Sequence, residues 1–468
     1  MAASGEAVGS SAGVKKMKPK ILVLGAGFGG LELSTLLSQS FGDSVDITLI
    51  DKSDHFMFGF SKLDVMFGRE TAQSQRLYYR NFAKPGVRLL HQTITKIDPV
   101  ARRVATDGGT FDADYLIIAL GAEYDFAGTP GLSEVNEFYS VAGAEKLREV
   151  LPSFKQGHAL VGVCGAPFKC PPAPSECALM LHDYLRTRGV RKSCKISFVL
   201  PMSAPVPPSP ETSKALIAAF AERDIAFYPN KRILSIDPRR GVARLDDDSE
   251  MTFDLFLGVP KHRVPLVVLE SGLAEDGWVP VKPRTLETKY SSVYAIGDGA
   301  NTGTPKAGVF AEGAAKAVAE ALIARIRNKG KANLYSGAGT CYIEFGGGRI
   351  GKVEVDFFSG PKPTGTYWEP SVELRSEKER FGSSRRARWF GEQSVSADGT
   401  IYATRQDAHT ITQSRSSTSS TARSSRRRWS MALAVAAALS LVALAAADVS
   451  GHASIPAFMK GLNALLSK

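Results

Sequence analysis

A strand, turn and helix near the start of the chain constrain the fold more than any other feature. An apolar strand, predicted at Lys20–Leu24, runs into G-x-G-x-x-G and then into an apolar helix that begins near Leu31. In this setting Gly25 permits a tight turn, Gly27 lets a pyrophosphate approach the backbone, and Gly30 allows helix and strand to pack closely. The segment therefore predicts a Rossmann-type dinucleotide site.

A carboxylate at the end of the next predicted strand supports this interpretation. The strand covers residues 46–50 and is followed by Asp51, which lies 21 positions beyond Gly30. At that spacing a carboxylate accepts hydrogen bonds from an adenosine ribose. A glycine-rich turn without a ligand is therefore disfavoured.

Two later stretches indicate that the dinucleotide is FAD. Residues 115–121, which end at Gly121, resemble a short strand of two-dinucleotide flavoproteins, and residues 292–298 resemble the second FAD motif of those enzymes. The resemblance implies that Asp298 hydrogen-bonds the ribityl chain of the flavin. Next come Lys306, Ala307 and Gly308, which lead into a helix predicted at residues 309–326. The N-terminus of this helix would offer amide N–H groups and a positive dipole to the flavin.

The corresponding turn of the second domain departs from a nucleotide-binding sequence. It follows a strand predicted at residues 159–163, and the spacing of glycines after Gly165 is broken. Pro167, Pro171 and Pro172 also remove amide donors that a pyrophosphate would need. A standard NAD(P)H site is therefore disfavoured.

This same stretch carries a family resemblance. Gly165-Ala-Pro-Phe-Lys-Cys170-Pro-Pro-Ala-Pro, together with Gly339-Thr-Cys341-Tyr, resembles the sulfide:quinone oxidoreductase and flavocytochrome c sulfide dehydrogenase flavoproteins of the pyridine nucleotide-disulfide oxidoreductase superfamily. The resemblance covers about residues 18–390. It implies a redox disulfide between Cys170 and Cys341, with Cys341 nearer the flavin and sulfide as the reductant. The electron acceptor is a quinone or another acceptor that the sequence does not determine.

Two departures from the family pattern limit this resemblance. No cysteine occurs within residues 123–135, where many sulfide:quinone oxidoreductases carry another, and none occurs within residues 55–60, where the flavocytochrome enzyme attaches FAD covalently. We therefore expect non-covalent FAD. An NAD(P)H:quinone or ferredoxin-type reductase, and a non-catalytic membrane-tethered redox sensor, stay open as alternatives. Cys164, Cys177 and Cys194 are expected in the core, and the scattered histidines form no metal-binding pattern.

The order of predicted elements gives an α/β fold. Strands alternate with helices up to about residue 335, which predicts two Rossmann-type domains with mostly parallel sheets, and short alternating strands after Cys341 predict a small C-terminal α+β module. We expect residues 1–17 to be a disordered leader, 18–125 and 285–330 the FAD-binding domain, 126–284 a second Rossmann-like domain, 331–393 the C-terminal module, 394–430 a Ser/Thr/Arg-rich linker, 431–447 a candidate membrane segment and 448–468 a tail.

The net charge of +11 does not indicate a nucleic-acid function, because it is concentrated outside the body of the protein. Residues 371–430 hold 12 Lys and Arg against 6 Asp and Glu, and the first 20 residues hold 4 lysines against one glutamate. The remainder is close to balanced and has no basic stripe interleaved with aromatic residues.

Residues 431–447 carry no charge, and nine of the 17 are alanine. A membrane anchor, a buried or interfacial helix and a misplaced targeting signal are three interpretations of this segment. Together with an amphipathic region at residues 373–390, it predicts a membrane-associated protein. The sequence does not determine the organelle, and a mitochondrion and a plastid both stay open.

Overall fold

The computed structural model describes residues 17–391, 394–395 and 401–402, all within one compact unit. Nearly all of the predicted leader and of the linker, and the whole 431–447 segment and tail, lie outside these residues. The helices are α1 (Phe28–Phe41), α2 (Ser61–Met66), α3 (Val141–Val150), α4 (Ala173–Thr187), α5 (Pro210–Glu222), α6 (Leu266–Glu270), α7 (Gly308–Arg327) and α8 (Leu374–Phe390).

Two parallel sheets and one antiparallel sheet form the framework. Their strands are β1 (Lys20–Leu24), β2 (Asp46–Asp51), β3 (Val87–His91), β4 (Tyr115–Ile118), β5 (Gly157–Val163), β6 (Cys194–Leu200), β7 (Ile225–Pro229), β8 (Leu255–Val259), β9 (Val293–Ala295), β10 (Ala338–Gly346), β11 (Arg349–Asp356) and β12 (Thr364–Ser371). The first parallel sheet has the order β9-β4-β1-β2-β3, the second has the order β7-β6-β5-β8, and β10-β11-β12 are antiparallel. The predicted α/β class is confirmed.

Shorter strands connect and cover these sheets. Two antiparallel three-stranded sheets are formed by Ile94–Asp98, Arg103–Thr106 and Gly109–Asp112, and by Ile233–Asp237, Val242–Leu245 and Glu250–Thr252. The two-stranded pairs are His55–Phe56 with Leu77–Tyr78, Glu123–Asp125 with Lys261–Arg263, Val279–Pro280 with Ala300–Asn301, and Ser394–Val395 with Ile401–Tyr402.

Strand order places the ligand crevice in the first sheet. Strand β1 lies between β2 and β4, so the chain leaves β1 in one direction and returns on its other side. Such a switch point opens a crevice at the carboxyl ends of the strands, which is where open α/β sheets bind ligands. The turn after β1 lies at this point.

Helix α8 closes the C-terminal module against the first sheet. Trp389 is fully buried, packs edge-on against Phe28 and Phe56, and donates its indole N–H to Glu32 on α1 at 2.9 Å. Arg388 also pairs with Glu32, at 2.8 Å. The aromatic residues at the end of this predicted amphipathic helix therefore face protein. Among the described helices, none combines the length and apolarity needed to cross a bilayer.

Candidate active site

The turn after β1 has the geometry that a dinucleotide needs. Gly25 has a φ of +101°, and a Cβ there would lie 2.5 Å from the carbonyl oxygen of Ala119. A Cβ on Gly30 would lie 1.9 Å from the carbonyl oxygen of Gly25, whereas a Cβ on Gly27 would have no neighbour within 4 Å. Gly25 and Gly30 are thus required by close packing, and Gly27 borders open space that a pyrophosphate can enter.

Asp51 lies beside this turn, as the spacing predicts. Its carboxylate accepts hydrogen bonds from the backbone N–H of Ala26 at 2.7 Å and of Ser53 at 2.8 Å. Burial raises the pKa of Asp51, while these two hydrogen bonds lower it. Each oxygen keeps a free lone pair for a ribose hydroxyl.

The second half of the predicted FAD site lies at the end of β9. Asp298 follows that strand, and a Cβ on the next residue, Gly299, would lie 2.8 Å from the carbonyl oxygen of Gly121. Asp298 lines a cavity of about 110 Å³ and takes part in none of the hydrogen bonds found among the described residues. Burial raises its pKa, and Lys169, Lys306 and Lys62 lower it. A half-buried carboxylate without a side-chain hydrogen-bond partner among the described residues fits a ribityl hydroxyl.

The start of α7 borders the same cavity. Lys306, Ala307 and Gly308 line it, and a Cβ on Gly308 would lie 2.6 Å from the ring of Phe28. The Lys306 ammonium donates to the Ala300 carbonyl at 2.9 Å, and burial lowers its pKa to about 8. The nine residues predicted to bind the cofactor lie at the turn after β1, at the carboxyl ends of β2, β4 and β9, and at the start of α7. This donor and acceptor set fits FAD.

Cys170 is fixed directly to the loop that precedes α7. Its backbone N–H donates to the carbonyl of Lys306 at 2.7 Å, and Lys169 and Lys306 form a parallel β-bridge. Cys170 has a φ of +49°, which turns the chain sharply before α4 begins. Its side chain lines the 110 Å³ cavity together with Asp298 and Gly308.

Cys341 reaches the same loop from the C-terminal module. It lies in β10, opposite Val353, and lines a second cavity of about 310 Å³ that also borders Lys306 and Ala307. Seven prolines and several apolar side chains line this second cavity. The two predicted redox cysteines therefore line two different cavities, and the loop of Lys306 and Ala307 borders both.

Glu176 is a member of this site that the sequence did not reveal. It is a buried carboxylate in the first turn of α4 and accepts the backbone N–H of Glu344 at 2.9 Å. Burial raises its pKa to about 7. Burial and the Glu176 charge together raise the pKa of Cys170, and they raise that of Cys341 to about 12. A carboxylate that precedes the apolar run Cys177–Leu181 of α4, six residues after Cys170, is the signal that could have identified it.

The raised pKa of Glu176 predicts a pH-dependent stability. The folded protein keeps this proton up to about pH 7, while the unfolded chain releases it near 4.5, so stability falls as pH rises through that interval. In Glu176→Gln this fall should be smaller by up to about 3 kcal/mol. Thermal melting of both proteins at pH 5 and pH 8 measures the difference. Glu145→Gln, at an exposed position of α3, is the control. Parallel pH profiles for wild type and Glu176→Gln would contradict this assignment.

The other three cysteines have the predicted place in the core. Cys164 and Cys177 are fully buried, and Cys194 is 4% exposed. Cys194 begins β6 and Cys177 lies in α4, as expected, while Cys164 follows the last residue of β5.

Known proteins share this architecture. The family model of pyridine nucleotide-disulphide oxidoreductases matches residues 19–321. Mouse mitochondrial sulfide:quinone oxidoreductase is 26% identical over 361 residues, which are 74% of this chain and 80% of the relative. Type II NADH:quinone oxidoreductase of Staphylococcus saprophyticus is 34% identical over 121 residues, 25% of this chain and 30% of the relative.

A solved structure extends the likeness to the fold. The sulfide:quinone oxidoreductase of Aquifex aeolicus superposes with a TM-score of 0.70 at 22% identity, covering 79% of this chain and 91% of that one. The family model covers well over half of the chain, and the FAD-fitting crevice lies inside the matched range. This protein therefore belongs to the pyridine nucleotide-disulphide oxidoreductase family and is a flavin-dependent oxidoreductase.

Proposed function

We propose that this protein oxidises sulfide at Cys170 and Cys341 and passes the electron pair through non-covalent FAD to a quinone. The observation that carries the proposal is that the loop before α7 is common to both cysteines. Cys170 donates its backbone N–H to the Lys306 carbonyl of this loop, and Cys341 lines a cavity that Lys306 and Ala307 also line. The named activity of the mouse and Aquifex relatives supports the same reaction.

The chemistry follows from a disulfide between the two cysteines. A hydrosulfide anion attacks one sulfur, so the S–S bond breaks and leaves a persulfide on that cysteine and a thiolate on the other. A second hydrosulfide removes the outer sulfur as HSS⁻, and the two cysteine thiolates re-form their disulfide as they give up two electrons. FAD supplies the two-electron acceptor between the cysteines and the quinone.

The two cavities support an assignment of roles to the cysteines. Cys341 faces the larger apolar cavity, which can admit sulfide, whereas Cys170 faces the cavity of Asp298 and Gly308. We therefore assign the persulfide to Cys341 and the thiolate beside the flavin to Cys170. This reverses the order implied by the family resemblance, which placed Cys341 nearer the flavin.

The start of α4 argues against NAD(P)H as the reductant. In a second Rossmann domain, amide groups at this helix N-terminus would hold the pyrophosphate. Here Pro172 and Pro174 lack an N–H, and the buried Glu176 carboxylate occupies the first turn. Above about pH 7, where Glu176 is ionised, its negative charge also repels a pyrophosphate. The alternative of an NAD(P)H:quinone reductase is therefore weakened.

Aromatic side chains near the Cys170 cavity provide a candidate binding place for the quinone acceptor. Phe60 lines the Cys170 cavity and contacts Phe381 of α8 at a ring distance of 6.3 Å, and Phe381 contacts Tyr342 at the same distance. The Lys378 ammonium lies 5.8 Å from the centre of the Phe60 ring. Flat rings next to a cation fit the ring and carbonyl oxygens of a quinone.

The cellular site is part of the proposal. The mouse relative is named as a mitochondrial protein, and a quinone acceptor is held in a membrane. We place this protein at a mitochondrial membrane surface. Its sedimentation with mitochondrial membranes, rather than with the soluble fraction, tests the placement.

Anaerobic stopped-flow spectroscopy of the purified flavoprotein tests the reaction. Sulfide should bleach the flavin absorbance, a soluble quinone should restore it, and NADH should leave it unchanged. Bleaching by NADH alone would establish the reductase alternative. Turnover below the flavin stoichiometry with every donor would instead indicate a redox sensor.

A further inference from the structure

Arg385 of α8 is a charged residue that neither the FAD motifs nor the cysteine chemistry uses. Its guanidinium donates two hydrogen bonds to the Glu312 carboxylate of α7, at 2.5 and 2.7 Å. Glu312 is only 6% exposed, so Arg385 supplies the opposite charge that a buried carboxylate needs. Two hydrogen bonds between planar groups also fix the plane of the guanidinium.

The fixed guanidinium lies over the ring of Phe381. The two residues are four positions apart in α8, which places them on the same side of the helix. The central guanidinium carbon is 3.6 Å from the centre of the ring, and one guanidinium nitrogen donates to the Phe381 carbonyl at 2.9 Å. A planar cation is attracted to an aromatic face and can stack on it. Arg385 therefore holds this ring from one side.

The Phe381 ring lies between two cavities. It contacts Phe60, which lines the 110 Å³ cavity of Cys170 and Asp298, at a ring distance of 6.3 Å. Phe381 itself lines another cavity, of about 650 Å³, between α7, β10 and α8. A shift of this ring would therefore change both its contact with Phe60 and the wall of the 650 Å³ cavity.

The anchor of Arg385 is close to the flavin-fitting cavity. Glu312 comes four positions after Gly308, the first residue of α7, which lines the 110 Å³ cavity. One turn of helix separates the two residues. The pair of Glu312 and Arg385 therefore sets the place of Phe381 relative to the helix that starts at this cavity, and not only within α8.

A second arginine of α8 provides a comparison. Arg388 donates two hydrogen bonds to the Glu32 carboxylate of α1, at 2.8 and 3.1 Å. Glu32 is buried like Glu312, but Arg388 does not line the 650 Å³ cavity. Arg388 thus shares the helix, the residue type and the kind of partner with Arg385, and differs in the place that it supports.

We propose that Arg385 is a positioning residue for the quinone acceptor, because it holds Phe381 in place through its pair with Glu312. The role rests on the acceptor part of the proposed function, to which it adds the residue that sets the place of the aromatic contact. A ring that is already held can contact a flat acceptor without first losing side-chain freedom, which favours binding.

The test isolates the reaction with the quinone. The FAD-loaded protein is reduced anaerobically with one equivalent of dithionite, so sulfide is not needed, and is then mixed with decylubiquinone or with ferricyanide. The quinone takes up two electrons from the reduced flavin together with two protons and becomes a quinol. Ferricyanide takes up single electrons and has no flat ring to stack. The ratio of the quinone rate to the ferricyanide rate of flavin reoxidation therefore measures the aromatic contact separately from flavin content.

Arg385→Lys keeps a charge toward Glu312 but loses the planar group over Phe381. The ratio should fall at least about fivefold in this variant, because one stacking contact is lost. Arg388→Lys, the matched control, should keep the ratio of the wild type. Phe381→Leu should also lower the ratio, and Arg385→Lys added to it should lower it no further, since the effect of Arg385 passes through the ring.

An unchanged ratio in Arg385→Lys or in Phe381→Leu would overturn the proposal, as would an equal fall in Arg388→Lys or a further fall in the double variant. Each of these results would leave quinone reduction by the wild type standing. A wild-type protein that the quinone does not reoxidise would refute the proposed acceptor, and this role with it. If Arg385→Lys fails to fold, Glu312→Gln is measured in the same way, and an unchanged ratio there has the same meaning.

Discussion

Replacing Cys341 with Ser is expected to abolish reduction of the bound flavin by sulfide. The rate should fall at least about a thousandfold, as in other enzymes that lose a covalent nucleophile. The physical reason is that a serine hydroxyl cannot form the disulfide that sulfide attacks. Cys170→Ser should lose the reaction to a similar extent, because the leaving thiolate disappears. Stopped-flow traces of flavin absorbance measure both rates.

A matched control separates chemistry from folding. Cys194→Ser alters a buried cysteine of β6 that lines neither cavity, so its rate should stay within about twofold of wild type. Flavin content must be equal in all three variants. A Cys341→Ser enzyme that sulfide still reduces within about tenfold of the wild-type rate would rule out the disulfide route.

A second measurement of this prediction is which cysteine carries the extra sulfur after reaction with sulfide. With less than one equivalent of sulfide, mass spectrometry of the trapped wild-type enzyme should find the extra sulfur on Cys341, which faces the apolar cavity. An extra sulfur on Cys170 would reverse the assigned roles while leaving the disulfide mechanism in place.

The FAD half of the site was predictable from the sequence because its residues act locally. Gly25, Gly27 and Gly30 are defined by one turn, and Asp51 follows the strand that pairs with β1. Asp298 and Gly308 belong to a second short motif around β9 and α7. Backbone geometry within such segments dictates the residue type, so each motif can be identified without knowing what packs against it.

The cysteine half depends on contacts between distant segments, which no local pattern contains. The hydrogen bond from Cys170 to Lys306 joins positions more than a hundred residues apart, and Cys341 arrives from a third region of the chain. The family resemblance supplied this pairing. It did not supply Glu176, because a charged residue in a helix is ordinarily interpreted as solvent-facing until its burial is known.

The start of α4 affects how readily the Cys170 sulfur ionises. A helix N-terminus favours anions, and this would stabilise a Cys170 thiolate just as it stabilises a pyrophosphate elsewhere. Pro172 and Pro174 remove amide donors, and a negative charge on Glu176 would offset the positive potential at this helix N-terminus. Together with burial, this keeps the pKa of Cys170 raised, so the neutral thiol is favoured in the reduced protein.

The second large effect is expected from Gly27→Val, which should fold normally and lose FAD. A Cβ at this position meets nothing within 4 Å, and the backbone φ of −78° suits any residue. The variant apoprotein should therefore melt at the same temperature as the wild-type apoprotein. The added side chain fills the space through which a pyrophosphate reaches the backbone. The Kd for FAD should therefore rise at least about a hundredfold, or about 2.7 kcal/mol.

The flavin-to-protein ratio after purification, followed by FAD titration of the apoprotein, measures this effect. Wild-type FAD should be released by heat denaturation, as non-covalent binding requires. Gly360→Val, at an exposed loop position, should keep full flavin. Gly30→Ala should instead destabilise the folded protein itself. Its Cβ would lie 1.9 Å from the Gly25 carbonyl oxygen, so the backbone of the turn would have to move. Full flavin content in Gly27→Val would show that the cofactor does not cross this turn.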